Sequence, residues 1–516
     1  MELNPLLLTD SYKFQHMSQY PESTEFIYSY LEARRPDLAV MMFGLNYYLR
    51  SYLSTKITFA HVEEALEVRH GILGSVSDDV VAKYRSLAEL QYFPLSIRAI
   101  PEGMIVPTKT PLLSIINTIP GYGWCGGYLE SLLLKLWNTC TVATTSAKYR
   151  MLVESYAWKT CENLDHIPFS VHDFGYRGVS SEETAVLSGM AHLLNFTGTD
   201  NVPAVRGIRE FYWDGKKTLI GASVPASEHS VMCSYRTDGE LDAFNRLLDL
   251  YPTGILSIVS DTYDYYNVLT NILPKLKDKI LARDGKVVIR PDSGNPYKIL
   301  LGDEDSSVPS EHAGTFELLW ELFGGTVNTK GYRVLNEKIG VIYGDGMYYD
   351  RFADILAGME DAKFASSNLV IGIGGLLLQN HGRDDLAFAL KASAIQVAGQ
   401  MYSIAKDPKT ASNKKSKAGI QRVTETSKFS QQEPLVQSFD LEEPRSYHKN
   451  LLDADDSLNA LASLLVQQYR YDGTTKRPFI NSDGLSIQQL RETVNHSLRN
   501  NSYRTKLTQF NRPDWK

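Results

Sequence analysis

The residues best suited to chemistry lie in the heptad 172–178, His-Asp-Phe-Gly-Tyr-Arg-Gly, and in the seven residues that follow it. Phe174 offers an aromatic face, and Arg177, three residues later, offers a guanidinium group suited to phosphate. This spacing suits a substrate with a flat base at one end and a phosphate at the other. A buried phenylalanine beside a surface arginine is the alternative for the heptad alone. Ser180 and Glu183 match the Ser-x-x-Glu capping box, which predicts a helix directly after the heptad.

Arginine, aspartate and glycine close other apolar runs of the sequence. Arg290 and Asp292 flank a proline after the run 287–289, so a rigid turn presents one group suited to phosphate and one suited to ribose hydroxyls or Mg²⁺. Glycines close two more runs, at 344–346 and 372–375, where they allow backbone N–H groups to approach phosphate oxygens. A helix N-terminus after such a turn adds a favourable partial charge. Together these turns predict a phosphate-rich ligand.

One further segment brings a carboxylate next to an imidazole. Glu228 directly precedes His229, and Asp261 and Asp264 share another turn. A lone histidine is more often structural than catalytic, and Glu228 does not by itself change that expectation. The sequence contains no Walker A, His-Glu-x-x-His or Gly-x-Ser-x-Gly motif, so any ATP would bind without a P-loop.

The turns that carry these residues follow apolar, β-branched runs that alternate with helical stretches from about residue 168 onward. Repeated strand, turn and helix units predict a parallel α/β sheet or barrel. Because ligands of such folds lie beyond the carboxyl ends of the strands, the turns should meet at one site. The five runs are residues 169–175, 255–261, 287–293, 339–346 and 369–375.

The flanking regions differ from this pattern. Residues 1–150 mix helices with short strands, at 104–107 and 112–116, and a helix is expected near 487–500. Residues 406–417 hold five lysines among Asp, Pro, Ser and Asn, which indicates a basic loop. Both a solvated surface loop and a lid over phosphate are consistent with this composition.

Composition limits the class of protein. A hydrophobic content of 43% and a charged content of 22% over 516 residues are ordinary for globular proteins. The longest apolar run, residues 369–378, is too short to span a membrane, and the N-terminus lacks the basic region typical of a signal peptide. Four cysteines without a Cys-x-x-Cys pair favour a reducing compartment over zinc or redox chemistry. With a net charge of −7, we expect a soluble, cytoplasmic protein with neither nucleic acid nor membrane as its partner.

In their order along the chain, these motifs resemble those of the nicotinamide phosphoribosyltransferases, which are type II phosphoribosyltransferases. This family joins nicotinamide to 5-phosphoribosyl-1-pyrophosphate, giving nicotinamide mononucleotide and pyrophosphate in NAD salvage. The resemblance implies an α/β fold with an irregular α/β barrel over residues 151–389. A second, discontinuous mixed α+β domain would be formed by residues 1–150 with 390–516. The segments that carry the resemblance are the heptad and residues 9–13, 196–200, 223–229, 260–264, 290–296, 344–346 and 383–384.

The resemblance also implies a homodimer whose active sites are shared between subunits. Phe174 and, from the partner chain, Tyr12 would enclose the pyridine ring of nicotinamide. Asp200 would accept a hydrogen bond from the carboxamide, and Arg290 would also contact the nicotinamide. The phosphoribosyl and pyrophosphate groups would be held by Arg177, Arg290, Asp292, Gly344, Asp345, Gly374 and Gly375, with Arg34, Arg383, Lys391 and Lys414 from the partner.

The chemistry of this reaction fits such a site. The pyridine nitrogen carries its own lone pair, so its attack on ribose C1 needs no general base. Pyrophosphate leaves and positive charge develops on the sugar, as in glycosyl transfer. Catalysis therefore depends on orienting the ring, stabilising the sugar cation and neutralising the leaving group. Asp292 would lie near the ribose and Mg²⁺. At Ile373, Leu376 and Ala389 the chain departs from the more Ser- and Gly-rich family pattern, which bears on the phosphate contacts.

His229 has no acid–base task in this reaction. The resemblance implies that it accepts a phosphoryl group from ATP as a coupled substrate, which links ATP hydrolysis to product formation. Asp261 or Glu228 would orient its ring through the other nitrogen. A plain pyrophosphate ligand is the alternative role for His229.

Three other functions compete with this one. Transfer to nicotinate would need a cationic or hydroxyl partner for the substrate carboxylate, and Asp200 argues against it because two carboxylates repel. A catalytically silent dimer that binds a ligand or partner proteins would be expected to lose some of the site residues named above, all of which are present. A barrel isomerase or aldolase needs a Lys or Glu base at a strand end, where Glu228 alone stands.

Overall fold

The computed structural model describes residues 3–410, 415–425, 433–441, 448–460, 463–481 and 485–510. Contacts within these ranges divide the chain into two compact units. The antiparallel unit comprises the chain up to Thr144, the segment Phe211–Asp214 and the chain from His381 onward. The barrel unit comprises Thr145–Glu210 and Gly215–Asn380.

The strands of the described ranges are numbered in chain order. They are β1 Thr24–Ala33, β2 Ala39–Met41, β3 Leu95–Ala99, β4 Ile105–Pro107, β5 Pro111–Asn117, β6 Val171–Asp173, β7 Thr253–Val259, β8 Asp284–Arg290, β9 Gly325–Val327, β10 Arg333–Leu335, β11 Ile339–Tyr343, β12 Leu369–Ile373, β13 Phe388–Val397, β14 Gln400–Ser403, β15 Ile420–Thr424, β16 Leu435–Phe439, β17 Val466–Arg470 and β18 Phe479–Ile480.

The α-helices are numbered in the same way. They are α1 Leu45–Tyr48, α2 Phe59–Leu73, α3 Asp78–Leu90, α4 Trp124–Tyr128, α5 Glu130–Leu133, α6 Leu136–Thr160, α7 Glu182–Leu193, α8 Val202–Phe211, α9 His229–Ser234, α10 Glu240–Leu250, α11 Tyr265–Asn267, α12 Leu273–Ala282, α13 Pro296–Leu301, α14 Pro309–Phe323, α15 Tyr349–Asp361, α16 Gly375–Leu378, α17 Leu451–Asn459, α18 Ile487–Leu498 and α19 Asn501–Thr508. No helix in the described ranges has both the length and the apolar composition that crossing a bilayer requires.

A seven-stranded antiparallel sheet, in the order β14-β13-β1-β5-β3-β17-β18, forms the centre of the antiparallel unit. β1 pairs with β13 on one side and with β5 on the other, and its last eight residues are buried. Tyr28 pairs with Ala394 of β13 and with Ile116 of β5, and all three belong to an apolar cluster completed by residues of α17. A strand buried along most of its length is covered on both faces, so β1 is the core strand of this unit.

Five parallel strands, in the order β6-β12-β11-β8-β7, form most of the wall of the barrel unit. All five residues of β11 and four of the five residues of β12 are buried. Continuous burial is typical of parallel strands with helices packed outside them, and it explains why these runs carry no polar alternation. Each of the five strands overlaps one of the predicted runs.

Two short extended segments close this sheet into an irregular barrel. Segment 198–199 bridges in parallel to Asp173 of β6 and to Ala222. Segment 222–226 then continues to Ser257 of β7, where it makes another parallel bridge. The predicted α/β class, with an irregular barrel and a mixed second domain, is confirmed.

The helix predicted after the heptad is present as α7, but the predicted capping box is wrong. Ser181 is the N-cap: its extended backbone (φ −153°, ψ 156°) is the one this position needs, and its hydroxyl accepts a hydrogen bond from the Thr184 N–H at 3.1 Å. Ser180 instead donates its N–H to Gln379 Oε1 at 2.5 Å. The start of the helix is therefore one residue later than the Ser180–Glu183 spacing predicts.

Candidate active site

A cavity of about 590 Å³ lies at the carboxyl ends of the barrel strands. Residues following β6, β8, β11 and β12 and both closing segments contribute to it, which is where ligands of parallel barrels bind. This strand-end cavity is lined by Asp173, Phe174, Tyr176, Arg177, Gly178, Asp200, Glu228, Arg290, Asp292, Gly344, Asp345, Gly346, Met347, Gly374, Gly375 and Leu376.

The Phe174 ring lies directly against two glycines of neighbouring strand ends. A methyl group on Gly372 would overlap the ring, and one on Gly344 would lie 3.2 Å from ring atom Cε2. The Phe174 N–H donates to the Ile373 carbonyl at 2.9 Å, which joins the turn to β12. The ring remains half-exposed. Gly372, which the sequence pattern associates with phosphate, therefore makes room for the aromatic ring.

Asp173 is a fully buried carboxylate beneath this turn, and sequence reasoning missed it. Its Oδ1 accepts from the Gly175 N–H at 2.7 Å, and its Oδ2 accepts from Asn201 Nδ2 at 3.0 Å. Burial raises the pKa of Asp173 to about 6, and the charge of Asp200 adds to the rise against these hydrogen bonds. Asp173 thus fixes the turn that presents Phe174. Its position directly before Phe174 was the available signal, but its burial was not readable from sequence.

Asp200 follows the closing segment 198–199 and is exposed at the rim of the cavity. Its N–H donates to the Asp173 carbonyl at 3.0 Å, and its Oδ1 accepts a short hydrogen bond from the Ser223 hydroxyl. Ser223 belongs to a segment that the sequence analysis singled out, but its contact with Asp200 joins residues 23 positions apart. The contact holds the carboxylate in one orientation.

Arg290 and Asp292 lie together at the end of β8. Arg290 Nη2 is 3.6 Å from Asp292 Oδ2, and their side chains are 16% and 22% exposed. Arg290 Nε is buried and has no hydrogen-bond partner within the described residues. A buried donor without a partner costs free energy unless a ligand or water satisfies it. The pair therefore offers a cation with an open donor and a carboxylate at one turn.

His229 begins helix α9, and its Nε2 is 3.1 Å from Asp261 Oδ1. The Asp261 side chain is 5% exposed and also accepts from the Ser293 hydroxyl at 2.6 Å. Glu228 accepts a hydrogen bond from Ser230 instead and faces the strand-end cavity. Of the two carboxylates predicted to orient His229, Asp261 is the one that contacts the ring. The Ser293 contact was not predicted.

The two glycines that follow β12 have different surroundings. A methyl group on Gly374 would meet no heavy atom within 4 Å, whereas one on Gly375 would lie 2.6 Å from the Gly178 carbonyl. Gly374 is therefore open to the cavity, and Gly375 allows the end of the heptad to pass close to the start of α16. Arg177 is exposed beside them, and Leu376 also lines the cavity.

A second cavity, of about 510 Å³, lies within the antiparallel unit. Burial lowers the pKa of Lys391, and the cations Arg34, Lys406 and Arg383 lower it further against the opposing charge of Glu130. Three of the four residues predicted to hold phosphate groups from the partner subunit thus lie together, and the fourth, Lys414, falls outside the described residues. This basic pocket is lined by Arg34, Arg35, Pro36, Arg383, Asp384, Ala387, Phe388, Ala389, Lys391 and Lys406.

Tyr12 lies on the short 3₁₀ helix Ser11–Ser18 of the antiparallel unit, with 59% of its surface exposed. Its ring centroid is 5.1 Å from that of His16, in an edge-on arrangement. The adjacent Lys13 is buried and forms an ion pair with Glu130 at 2.5 Å. Lys13 Nζ also lies 5.1 Å from the centroid of the Tyr12 ring.

The described ends of the predicted basic loop are joined to each other. The Lys406 N–H donates to the Ser416 hydroxyl at 2.8 Å, and the Ser416 N–H donates to the Lys406 carbonyl at 2.9 Å. Lys417 forms a short ion pair with buried Glu32. Residues 411–414 lie outside the described ranges, so the predicted lid stays a prediction.

The described residues contain no group of three or more His, Cys, Asp or Glu side chains arranged to hold a metal ion. Asp292 and Asp345 both line the strand-end cavity. Mg²⁺ is commonly bound by one or two carboxylates together with substrate phosphates and waters, in place of an all-protein cage. The donors present therefore fit an ion that arrives with a phosphorylated substrate.

Comparison with known protein families adds independent information. The model of the nicotinate phosphoribosyltransferase (NAPRTase) family matches residues 169–443. The model of the nicotinamide phosphoribosyltransferase N-terminal domain matches residues 4–81.

Two curated relatives carry the name nicotinamide phosphoribosyltransferase. The one from Acinetobacter baylyi is 41% identical over 451 residues, covering 82% of this chain and 88% of the relative. The one from Xanthomonas campestris pv. campestris is 38% identical over 425 residues, covering 81% and 86%.

Two solved structures share the fold. Human nicotinic acid phosphoribosyltransferase matches with a TM-score of 0.53 and 16% identity over 96% of this chain and 94% of that one. Nicotinate-nucleotide pyrophosphorylase from Pyrococcus furiosus matches with a TM-score of 0.51 and 14% identity over 96% and 95%. At these identities the likeness concerns the fold alone.

Proposed function

The chain belongs to the nicotinate phosphoribosyltransferase family and is a phosphoribosyltransferase of NAD salvage, and we propose that it transfers the phosphoribosyl group of 5-phosphoribosyl-1-pyrophosphate to nicotinamide. The products would be nicotinamide mononucleotide and pyrophosphate. One observation carries the proposal: an aromatic ring on two glycines, a rim carboxylate and an Arg–Asp pair line one cavity. A flat amide-bearing base and a phosphorylated sugar need this set of groups.

The base would bind between Phe174 and Asp200. Stacking on an aromatic ring contributes about 0.5–1.5 kcal/mol beyond the burial of area. Because Ser223 already donates to Asp200 Oδ1, the other carboxylate oxygen is positioned to accept the N–H of the carboxamide. Nicotinate carries a carboxylate there, which offers no N–H and repels Asp200.

The phosphoribosyl group would bind at the turn after β8. The unpartnered Nε of Arg290 is a donor that a phosphate or ribose oxygen would satisfy. The pyridine nitrogen supplies the electron pair of the new bond to C1, and pyrophosphate leaves with the electron pair of the broken C1–O bond. No proton changes place. Asp292 stabilises the positive charge that develops on the sugar between these events.

Asp292 and Asp345 are the residues that would hold Mg²⁺ together with the substrate. A bound Mg²⁺ supplies charge neutralisation of the pyrophosphate. The two side chains need no third protein ligand for this, because substrate oxygens and water complete the coordination.

ATP coupling would use His229. Since Asp261 occupies Nε2, the nucleophilic nitrogen is Nδ1. The bond from Nδ1 to the γ-phosphorus forms as the bond from that phosphorus to the bridging oxygen breaks, and ADP leaves with the electron pair. Asp261 stabilises the ring cation that results, because its carboxylate accepts from the Nε2–H.

A homodimer would complete the site. The basic pocket of the antiparallel unit concentrates Arg34, Arg383 and Lys391, which suits a leaving group of several negative charges. We propose that this pocket of one subunit serves the strand-end cavity of the other. Mixing Phe174→Ala with Arg383→Ala subunits, each inactive alone, should then restore about a quarter of wild-type activity, because half of the dimers carry one intact site. Activity that stays at the level of the single variants would contradict a shared site.

A cytoplasmic location accords with the cysteines. All four are free thiols, and three of them are buried. Reducing compartments keep thiols in this form.

The function is tested by following products from 5-phosphoribosyl-1-pyrophosphate and Mg²⁺, with nicotinamide or nicotinate, each with and without ATP. We expect nicotinamide mononucleotide, formed faster with ATP. Turnover of nicotinate alone would reverse the assignment of the acceptor, and turnover of neither would favour a silent binding protein.

The role of Asp200 has its own test. Asp200→Asn removes the charge and replaces one acceptor by a donor, so the preference for nicotinamide over nicotinate in kcat/KM should fall by about 10²-fold. Asp242→Asn, an exposed position on α10, is the matched control. A preference that Asp200→Asn leaves unchanged would remove Asp200 from the base site.

A further inference from the structure

A single chain of hydrogen bonds connects His229 with the turn that carries Arg290 and Asp292. His229 Nε2 contacts Asp261 Oδ1 at 3.1 Å, and the Ser293 hydroxyl donates to Asp261 Oδ2 at 2.6 Å. Ser293 directly follows Asp292 in the turn after β8. The two oxygens of one buried carboxylate thus join two parts of the strand-end region that are far apart in sequence.

Ser293 is also held through its main chain. The Tyr343 hydroxyl donates to the Ser293 carbonyl at 2.8 Å and to the Gly294 carbonyl at 3.3 Å. Burial raises the pKa of Tyr343, and the charges of Asp345, Asp261 and Asp292 raise it further, so the phenol stays protonated and remains a donor. The turn is therefore fixed on one side by Tyr343 and on the other by Asp261.

We propose that Ser293 is a positioning residue that transmits the phosphorylation state of His229, through Asp261, to the turn that binds the phosphoribosyl group. This inference rests on the proposed ATP coupling and adds the route by which that coupling reaches the substrate. Ser293 itself touches neither ATP nor the reacting carbon in this scheme.

The physical basis is a change in the strength of one hydrogen bond. When Nδ1 of His229 takes the phosphoryl group, the ring keeps its Nε2 proton and becomes positively charged. Its hydrogen bond to Asp261, which the carboxylate charge already assists, is then assisted by charge at both ends and becomes shorter and stronger. Asp261 is 5% exposed, so water cannot take over its second oxygen and the adjustment passes to Ser293.

The consequence at the sugar follows from chain connectivity. Asp292 is the neighbour of Ser293 and lies 3.6 Å from Arg290 Nη2. A shift of a few tenths of an ångström in the turn changes that separation directly, because a proline precedes Asp292 and limits compensating rotation. Phosphorylated His229 would therefore favour the arrangement of the turn that binds 5-phosphoribosyl-1-pyrophosphate more tightly.

The experiment uses the full-length enzyme and compares wild type with Ser293→Ala, Ser293→Thr and Thr262→Val. Two quantities are measured: phosphohistidine formed from ATP labelled at the γ-phosphate, and kcat/KM for 5-phosphoribosyl-1-pyrophosphate with and without ATP. Thr262 is the matched control because it neighbours Asp261 and its buried hydroxyl has no hydrogen-bond partner within the described residues. Ser293→Thr keeps the hydroxyl group.

We expect Ser293→Ala to form phosphohistidine within about twofold of wild type, and to lose about tenfold of the gain in kcat/KM that ATP gives. Tenfold corresponds to about 1.4 kcal/mol, close to the lower limit for one hydrogen bond to a charged group. Ser293→Thr and Thr262→Val should keep most of the gain. A purely structural defect would lower the rates with and without ATP equally.

Three results would overturn the inference. Ser293→Ala could keep the full ATP gain, Ser293→Thr could lose as much of it as Ser293→Ala, or Ser293→Ala could fail to form phosphohistidine. Wild type that forms no phosphohistidine would be a different failure, because it removes the proposed ATP coupling itself and the inference with it.

Discussion

The strand-end cavity and the basic pocket differ in the charges of the side chains that line them. The cavity is lined by five acids and two arginines, and Arg290 Nη2 lies 3.6 Å from Asp292 Oδ2. In the pocket, five cations face one acid, Asp384. A mixed lining can discriminate between neutral and charged groups, whereas a lining of one sign attracts any anion. In the proposed function, recognition of the base and sugar is thus separated from neutralisation of the leaving group.

Burial shifts the pKa of an acid at the strand-end cavity and the pKa of a base at the basic pocket. It raises the pKa of the acid Asp173 beneath the cavity and lowers the pKa of the base Lys391 at the pocket. In both cases burial disfavours the charged form, and surrounding groups decide how much of the charge remains.

Arg290→Ala should have the largest effect. It removes the unpartnered donor and leaves Asp292 without its cation, so kcat/KM should fall by about 10³-fold, which corresponds to about 4 kcal/mol. Steady-state rates with 5-phosphoribosyl-1-pyrophosphate measure it. The control is Arg246→Ala, an exposed arginine of α10. A loss below about tenfold would mean that the cavity does not depend on this pair.

The next effect concerns stability and pH. Burial raises the pKa of Asp173 from 3.8 to about 6, so its contribution to stability is fully present below about pH 4 and is lost as pH rises through about 6. Relative to Asp173→Asn, the wild-type free energy of unfolding should therefore fall by about 3 kcal/mol between pH 4 and 7. Urea unfolding at several pH values measures this difference. Asp305→Asn, whose position is 94% exposed, should give a curve parallel to wild type. If Asp173→Asn is parallel as well, the carboxylate is not buried in the folded protein.

A pair of glycine substitutions distinguishes a residue that supports binding of the base from one that is open to phosphate. Gly372→Ala places a methyl group in the Phe174 ring, so the KM for nicotinamide should rise and kcat/KM should fall by about 10²-fold, or about 2.7 kcal/mol. Gly374→Ala meets no heavy atom within 4 Å and should leave the KM for nicotinamide unchanged. Initial rates over a range of nicotinamide concentrations decide it. Equal effects of the two substitutions would show that the ring does not depend on Gly372.

The smallest effect concerns the basic pocket. Lys391→Ala should raise the KM for 5-phosphoribosyl-1-pyrophosphate about tenfold, or about 1.4 kcal/mol, and should leave the KM for nicotinamide unchanged. The dependence of kcat/KM on ionic strength should weaken as well, because salt screens charge attraction. Lys476→Ala, an exposed lysine of the same unit, is the control. An equal change in both KM values would contradict separate roles for the basic pocket and the strand-end cavity.

The barrel strands were predictable because their signal is local. Each contains an apolar β-branched run followed by a turn of Gly, Asp or Ser, and in β11 and β12 burial of both faces removes the need for alternation. Because these strands run parallel, Phe174, Arg290 and Gly344 lie at the same edge of the sheet. The closing segments 198–199 and 222–226 were not predictable, because they are too short to show periodicity.

Contacts between residues distant in sequence account for the features of the site that could not be predicted. Ser223 with Asp200 and Ser293 with Asp261 are hydrogen bonds made across the barrel, and no spacing within the sequence encodes them. The capping error has a simpler cause. The sequence offers both Ser180 and Ser181 as caps of α7, and in the structure the Ser180 N–H donates to the Gln379 side chain while the Ser181 hydroxyl caps the helix.

The two sides of the barrel wall differ in stiffness. Seven residue pairs join β7 to β8, whereas single bridges join the closing segments to their neighbours. Arg290 ends a strand that is paired along its whole length, while Asp200 and His229 each follow a short segment joined to each neighbour by one bridge. Short stretches of pairing open at a lower free energy than long ones. The wall at Arg290 should therefore be stiffer than the wall at Asp200 and His229, so that the proposed positions of the base and of ATP can adapt to successive occupants without loosening the barrel.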